Sequence, residues 1–186
     1  MSSDFQQVLR RLKSEKHHTQ LKPRDQSKLE FFETTHERPA KLLYDTTVYI
    51  DILHGHFTQI GKSMLQANEA WHSPVTEAEL AASCGRLDPS HVRTRENIEL
   101  IREVIESRPR HRTITPDVEI WQEAGILSGL VSRLQGYATN GQRRVLNDAL
   151  LFASARKHGC AVLTRNVVDF DFLQQLEPSG KVLFYR

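Results

Sequence analysis

Apolar residues beyond position 40 fall into two patterns that alternate along the chain. Short apolar runs of three to five residues predict β-strands, and longer segments with apolar positions three or four residues apart predict α-helices. The strands are predicted over 42–44, 71–73, 111–115, 160–164 and 181–185. The helices are predicted over 46–53, 57–70, 76–85, 89–108, 116–137, 143–158 and 169–176, and Gly159 is expected to end the helix 143–158.

This order of strands and helices, joined by short links, is typical of a parallel sheet covered by helices on both faces. We therefore predict an α/β fold for residues 41–186. It is a three-layer α/β/α sandwich with a central, mostly parallel sheet of four or five strands.

Residues 1–40 form a separate region in the sequence, with few apolar residues and a high density of basic side chains. Phe5, Val8, Leu9 and Leu12 have helical spacing and predict a short amphipathic helix. A second helix is predicted over 27–34. We expect a basic N-terminal extension that is helical or partly disordered, and whose removal leaves the main domain folded.

Composition limits the function classes only loosely. With 186 residues, 39% hydrophobic and 26% charged, the chain is expected to form one globular domain with an appendage. The formal charge of +2 is too small to predict nucleic-acid binding. Two basic clusters outside the extension could contact phosphates or could be solvated surface. They are Arg108, Arg110, His111 and Arg112, and then Arg143 and Arg144.

Cys84 and Cys160 lie among apolar neighbours and have no metal-binding or redox spacing, which fits buried thiols in a reducing cytoplasm. No signal peptide and no run of about 18 apolar residues is found, so we expect a cytoplasmic protein with no membrane span.

Acidic residues stand where a parallel sheet would bring them to one edge. Asp45 follows the first predicted strand, Asp169 follows the strand 160–164, and Asp148 opens an apolar helix. Carboxylates that meet at the carboxyl ends of strands repel one another unless a cation neutralises them. Oxygen ligands of this kind suit Mg²⁺ or Mn²⁺. For Asp148 a second interpretation is a favourable interaction with the helix N-terminus.

Four sequence motifs in one order resemble a known family. Asp148 precedes an Ala-rich helix, and Thr164-Arg165-Asn166-Val167-Val168-Asp169-Phe170 follows a strand. Upstream, Leu43-Tyr44-Asp45-Thr46-Thr47 and Val75-Thr76-Glu77-Ala78-Glu79-Leu80 complete the set. Residues 42–186 resemble the PIN domain, in particular the VapC-type toxins of bacterial toxin–antitoxin pairs.

The resemblance implies an endoribonuclease that hydrolyses RNA phosphodiester bonds with one or two Mg²⁺ or Mn²⁺ ions. Asp45, Glu79, Asp148 and Asp169 would be both the catalytic and the metal-binding residues. The implied substrate is tRNA or another structured RNA, and the implied partners are an antitoxin protein and a second copy of the chain.

Neighbouring acids compete for two of these positions. Glu77 and Glu79 are two residues apart on a helix and cannot both face the site. Glu79 matches the Glu-Leu pair of the family, and Glu77 suits the first turn of the helix. Asp169 is preferred to Asp171 by the spacing of its motif. Asp51 is expected to be solvated.

Polar residues near the acids are candidates for orienting carboxylates or binding phosphate. Thr46 and Thr47 could do either, or could cap the helix after Asp45. Asn166 is expected to orient Asp169 or bind phosphate. Arg144, four residues before Asp148, is a candidate ligand of the scissile phosphate. Thr164 belongs to the same supporting set.

Two other function classes stay open. A PIN-like module could bind RNA or protein without catalysis. A phosphatase of the haloacid dehalogenase type, or a receiver domain, could also use Asp45. The phosphatase would normally have a second Asp where Thr47 stands. The receiver domain would have its acceptor Asp on a later strand.

Overall fold

The computed structural model describes residues 4–35, 41–57 and 59–186. Residues 1–3, 36–40 and 58 lie outside the described part, and with them the predicted boundary of the extension at residue 40.

Four short strands form one parallel sheet. They are β1 (Lys41–Tyr44), β2 (Glu69–Trp71), β3 (Ala161–Thr164) and β4 (Lys181–Phe184), in the order β2-β1-β3-β4. In register, Leu43 of β1 lies opposite Trp71 of β2 and Val162 of β3. The parallel sheet confirms the predicted fold class.

Helices connect the strands and cover both faces of the sheet. They are α1 (Asp4–Leu12), α2 (Thr46–Leu53), α3 (Gln59–Gln66), α4 (Pro74–Arg86), α5 (Thr94–Glu106), α6 (Val118–Gln135), α7 (Thr139–His158) and α8 (Val167–Leu176). Gly159 ends α7 with φ of 67°, in the left-handed conformation that glycine adopts without strain, as predicted. None of these helices, in the part of the chain described, is long and apolar enough to cross a lipid bilayer.

Alternate strand residues divide the core into two layers. Leu43, Val162 and Val182 face α1, α6, α7 and α8. Leu42, Leu163 and Leu183 face the opposite side, where Val48 of α2 and Leu80 of α4 are buried. Successive side chains of a strand point to opposite faces, so strands with both faces covered read as continuous apolar runs.

Several local predictions are wrong, and the reasons are physical. The predicted strand 111–115 is a 3₁₀ turn over Arg110–Arg112, followed by an isolated bridge between Thr113 and His72. Pro109 and Pro116 flank this segment, and proline cannot donate to a strand ladder.

The predicted helix 57–70 is shorter, because Glu69–Trp71 pairs with β1 as β2. Helix α7 begins at Thr139, four residues before the predicted start at residue 143.

The N-terminal segment packs on the domain. The predicted helix at its start is α1, with Val8 and Leu12 buried and Phe5 and Leu9 more exposed. The second predicted helix is wrong, because a 3₁₀ turn over Gln26–Lys28 leads into extended chain.

That extended chain lies beside β4. The Phe32 amide donates to the Phe184 carbonyl (2.7 Å), and the Phe184 amide donates to the Glu30 carbonyl (2.9 Å). The Phe31 and Phe32 side chains are buried. Residues 30–32 therefore cover the free edge of β4.

Three buried carboxylates are bound by arginines, and two of these arginines belong to the N-terminal segment. Arg11 of α1 contacts Glu123 at 2.6 Å and Glu177 at 2.7 Å. The Arg156 Nε donates to Glu123 at 2.7 Å. The Arg24 amide donates to Asp171 at 2.8 Å, and its guanidinium also pairs with Asp171. We call Glu123, Asp171 and Glu177 the arginine-bound carboxylates.

Candidate functional site

The four predicted acids are carried by elements that meet at the carboxyl edge of the sheet. Asp45 directly follows β1 and caps α2, and Asp169 lies in the first turn of α8 just after β3. Glu79 and Asp148 project from α4 and α7. Strands β1 and β3 are neighbours whose connections leave toward opposite edges of the sheet, and such a switch point opens a crevice.

A cavity of about 690 Å³ occupies this crevice. Asp45, Glu79 and Asp148 lie in its wall. The rest of the wall includes hydroxyl, amide, basic and aromatic side chains, among them Thr46, Thr47, Arg86, Trp121, Arg144, Asn147 and Asn166. The Asn166 amide donates to both Asp148 and Asp169, each at 3.1 Å. Asp169 is thereby joined to the acids of the cavity.

Asp45 is held by donors on both sides. The Thr46 amide donates to one carboxylate oxygen (2.7 Å), and the Thr47 and Thr164 hydroxyls donate to the other (2.8 and 2.7 Å). Burial raises the pKa of Asp45 although these hydrogen bonds lower it, and the charge of Glu79 raises it further. Thr47 and Thr164 thus fix the direction of this carboxylate.

Glu79 is held in a similar way. The Thr46 hydroxyl donates to one of its oxygens, and the Asn147 amide donates to the other at 2.8 Å. Thr46 therefore contacts Glu79 through its side chain and Asp45 through its backbone.

Asp148 lies in the third turn of α7, because that helix begins nine residues before it. Our expectation that Asp148 opens the helix is wrong, and interaction with the helix N-terminus does not explain it, since that effect fades within the first turn. Burial raises the pKa of Asp148 well above its ordinary value. The charges of Asp45, Asp169 and Glu79 raise it further.

Asp169 has three donors around a nearly inaccessible carboxylate. In addition to the Asn166 amide, the Tyr137 hydroxyl donates to Asp169 at 3.0 Å, and the Arg144 guanidinium lies 2.9 Å from it. The Arg144 side chain is 65% exposed, so it contacts Asp169 from the solvent side. Burial and the Asp169 charge together raise the pKa of Tyr137 to about 12.

Residues at the site that were not found from the sequence include Tyr137, Asn147, Trp121 and Arg86, the last of which lines the cavity. Tyr137 lies at the end of the predicted helix 116–137, and nothing in its spacing marked it. Asn147 is next to Asp148, but its contact with Glu79 depends on the packing of α7 against α4. Trp121 has helical spacing with core residues, yet it is half exposed in the cavity wall.

The competing acids lie elsewhere. Glu77 is 3.6 Å from Arg108 and does not line the cavity with Glu79. Asp171 is one of the arginine-bound carboxylates. Asp51 is buried rather than solvated, so that expectation is wrong. Its carboxylate accepts from Tyr185 at 2.7 Å and from His56 at 2.9 Å.

The donor set fits a hard divalent cation by its chemistry. All four acids offer carboxylate oxygens, and Mg²⁺ and Mn²⁺ prefer such ligands. Burial raises the pKa of Asp45 and Asp148, and repulsion from neighbouring acids raises it further, so a bound cation would relieve this repulsion. Within residues 4–35, 41–57 and 59–186, no three His, Cys, Asp or Glu side chains are already placed so that together they could hold a metal ion.

Comparison with known proteins was made on sequence and on structure. The model of the PIN domain family matches residues 42–171, which is more than half of the chain. Comparison with curated protein sequences gave no significant match.

Solved structures of similar fold include toxin–antitoxin proteins. A chain of VapBC2 from Rickettsia felis, bound to a promoter DNA fragment, has 13% identity and a TM-score of 0.56. The match covers 78% of this chain and 99% of that one. DNA-bound VapBC from Salmonella typhimurium gives 16% identity and a TM-score of 0.55, with 77% and 97% covered. FitAcB from Neisseria gonorrhoeae gives 18% identity and a TM-score of 0.53, with 78% and 96% covered.

Proposed function

Because the chain belongs to the PIN domain family, we propose that it is a metal-dependent endoribonuclease of the VapC-toxin kind. The observation that carries the proposal is the group of buried carboxylates at the carboxyl edge of β1 and β3. They are oriented by hydroxyl and amide donors, and Arg144 is the one basic side chain that lies against them in the described residues.

Asp45, Glu79, Asp148 and Asp169 would hold Mg²⁺ or Mn²⁺. When bound, the cation would supply Lewis acidity at the phosphoryl oxygens and activate water for attack. Thr47 and Thr164 would keep the Asp45 carboxylate in one orientation, and Asn166 would do so for Asp148 and Asp169. Arg144 would lie against the scissile phosphate.

The wall of the cavity supports a single-stranded or locally unpaired RNA as substrate. Arg86 and Arg144 place positive charge at its rim, and backbone phosphates account for much of the affinity of such complexes. Trp121 presents an aromatic side chain that is 50% exposed, on which a base can stack.

A partner protein belongs to the same proposal. VapBC and FitAcB are the structures of similar fold, so we infer that this chain pairs with an antitoxin-like protein and forms a homodimer. A non-catalytic RNA- or protein-binding module is the second candidate. The observation in its favour is that both oxygens of Glu79 already accept hydrogen bonds.

The test is an RNA cleavage assay with the purified full chain. A mixed pool of tRNA and other structured RNA is incubated with Mg²⁺, Mn²⁺ or EDTA. Asp148→Asn is the site variant. Asp25→Asn is the matched control, because Asp25 is an exposed carboxylate that caps a 3₁₀ turn and asparagine can also cap it.

The proposal predicts cleavage that needs the metal, persists in Asp25→Asn and is lost in Asp148→Asn. RNA binding without cleavage under every metal condition would favour the binding module. Equal cleavage by Asp148→Asn and wild type would show that the nuclease activity does not come from this site.

A further inference from the structure

A second cavity contains a buried cation that lacks a hydrogen-bonding partner. Arg108 follows α5, and its residue is only 7% exposed. No residue that the structure describes offers a hydrogen-bond acceptor to the three guanidinium nitrogens of Arg108, Nε, Nη1 and Nη2. Buried polar groups are almost always hydrogen-bonded, and an exception points to a water or an ion that completes the site.

The immediate neighbours of Arg108 do not complete it. Its guanidinium lies on the ring of Tyr49, with 3.9 Å between Cζ and the ring centroid, and this contact engages the face of the cation rather than its N–H groups. The Glu77 carboxylate is 3.6 Å from Nη1, beyond hydrogen-bonding distance. The hydrogen-bonding edge of Arg108 is thus open to a further acceptor.

The cavity at Arg108 has a volume of about 710 Å³, which is ample for a phosphate group. It is lined by two arginines, two threonines, two glutamates and one isoleucine, which are Arg108, Arg110, Thr113, Thr115, Glu77, Glu106 and Ile105.

The charges of this wall favour an anion. Glu106 accepts from Arg102 at 2.8 Å, so its charge is already paired. Glu77 is then the one competing anion among the lining residues that the structure describes, against Arg108 and the exposed Arg110.

This cavity adjoins the carboxylate cavity. Thr115 lies in the wall of both, and Glu77 stands two residues before Glu79 on α4. If one phosphate of an RNA strand lay at the acids, the adjacent nucleotides of that strand would therefore lie near Arg108 and Arg110.

We propose that the cavity of Arg108, Arg110, Thr113 and Thr115 is an anion site for a phosphate of the RNA strand next to the one cleaved. This rests on the proposed function. The phosphate enters from the side of the exposed Arg110 and displaces Glu77 from Arg108. Glu77 therefore weakens binding in the free protein and moves aside when a strand is bound.

The test measures RNA binding without metal, so that it does not depend on cleavage. A 5′-labelled single-stranded hexaribonucleotide is titrated with the full chain in EDTA at several salt concentrations, and fluorescence anisotropy is recorded. We expect Arg110→Ala and Arg108→Lys each to weaken binding by about fivefold or more. In Arg110→Ala, which removes a positive charge, the slope of log affinity against log salt should also fall by about 0.7, whereas Arg108→Lys keeps the charge and should keep the slope.

Glu77→Gln removes the competing carboxylate and should tighten binding about threefold. Arg95→Ala is the matched control, because Arg95 is an exposed arginine of α5 outside both cavities. It should leave the affinity and the slope within error of wild type. Thermal melting of each variant identifies any that fails to fold, and Arg110→Ala and Glu77→Gln test the site even if Arg108→Lys does not fold.

A parallel titration with inorganic phosphate, followed by ³¹P line width, separates a strand from free phosphate. Loss of phosphate binding in Arg110→Ala with unchanged RNA affinity would overturn the assignment to RNA. Wild-type affinity and salt slope in both Arg110→Ala and Glu77→Gln would overturn the site altogether. The protein could also bind RNA, with the expected changes of affinity and salt slope in the variants, and yet cleave no RNA. That result would uphold the anion site and reject the nuclease function.

Discussion

Two sets of buried carboxylates in this molecule are treated in opposite ways. The arginine-bound carboxylates, Glu123, Asp171 and Glu177, each lie against an arginine of the chain. At the carboxyl edge of the sheet, Asp45 and Asp148 have hydroxyl and amide donors but make no ion pair among the described residues.

The difference separates a structural role from a functional one. A buried charge is costly unless it is paired, and the chain supplies arginines where the carboxylate only joins elements. At the sheet edge it gives Asp45 and Asp148 donors that orient them but no ion-pair partner among the described residues, and burial together with the neighbouring acids raises the pKa of Asp148. Such a site is suited to a cation from outside the chain.

The largest expected effect comes from neutralising one acid at the sheet edge. Asp148→Asn should lower RNA cleavage on the order of 10³-fold, the scale seen when a single electrostatic group is removed from an active site. It should not lower the free energy of unfolding, because it removes a repelled charge from a buried position. Cleavage rates and urea unfolding of the same preparation check both parts, and a large loss of stability would contradict the comparison.

The complementary change is Glu123→Gln among the arginine-bound carboxylates. It leaves Arg156 and Arg11 without a shared anion and should lower the free energy of unfolding by about 3 kcal/mol. Cleavage per folded molecule should stay near wild type, since Glu123 does not line the carboxylate cavity. A fully stable Glu123→Gln with reduced cleavage would reverse the roles that we assign to the two sets.

His72 extends the comparison to a buried base among cations. Burial and, to a smaller extent, the charges of Arg108 and Arg112 together lower the pKa of His72 to about 4. Between pH 6.5 and 4 the unfolded chain binds a proton that the folded chain does not, so stability falls as the pH falls. From pH 7 to pH 5 the loss should be about 2 kcal/mol.

His72→Gln removes this one contribution and leaves the other titrating groups in place. Urea unfolding of wild type and His72→Gln at both pH values isolates it as the difference between their pH dependences. If the free energy of unfolding had the same pH dependence in both proteins, His72 would take up its proton in the folded chain as it does in the unfolded chain.

The smallest expected effect is stabilisation by metal. Mn²⁺ at about ten times its Kd should raise the free energy of unfolding by about 1.4 kcal/mol. Asp148→Asn should lose most of this gain, and Asp25→Asn should keep it. A gain of equal size in Asp148→Asn would place the ion outside the sheet edge.

The sequence predicts the sheet and the meeting of the acids well, because both follow from local patterns. Strands β1, β3 and β4 are continuous apolar runs, and Asp45 and Asp169 directly follow strands. What it does not predict depends on contacts between distant residues. Helix 57–70 was predicted too long because Glu69–Trp71 gains its pairing from β1, and Asp51 is buried by Tyr185 far along the chain.

The N-terminal region shows the same limit. Its charge and sparse apolar residues predict an appendage that can be removed. Four of its apolar residues, Val8, Leu12, Phe31 and Phe32, are nevertheless buried in the two core layers. The overall composition of the region does not show that these four positions are packed in the core, because it averages over all of its residues.

The pairing of residues 30–32 with β4 also bears on how the chain reaches this structure. These segments are separated by most of the length of the chain, and closing so long a loop precedes any gain from the contact. During synthesis, residues 30–32 are made long before β4 exists. Until they dock, β4 presents unpaired amides and carbonyls that another copy could bind. The docking of residues 30–32 on β4 therefore protects the chain against aggregation, but only late in folding.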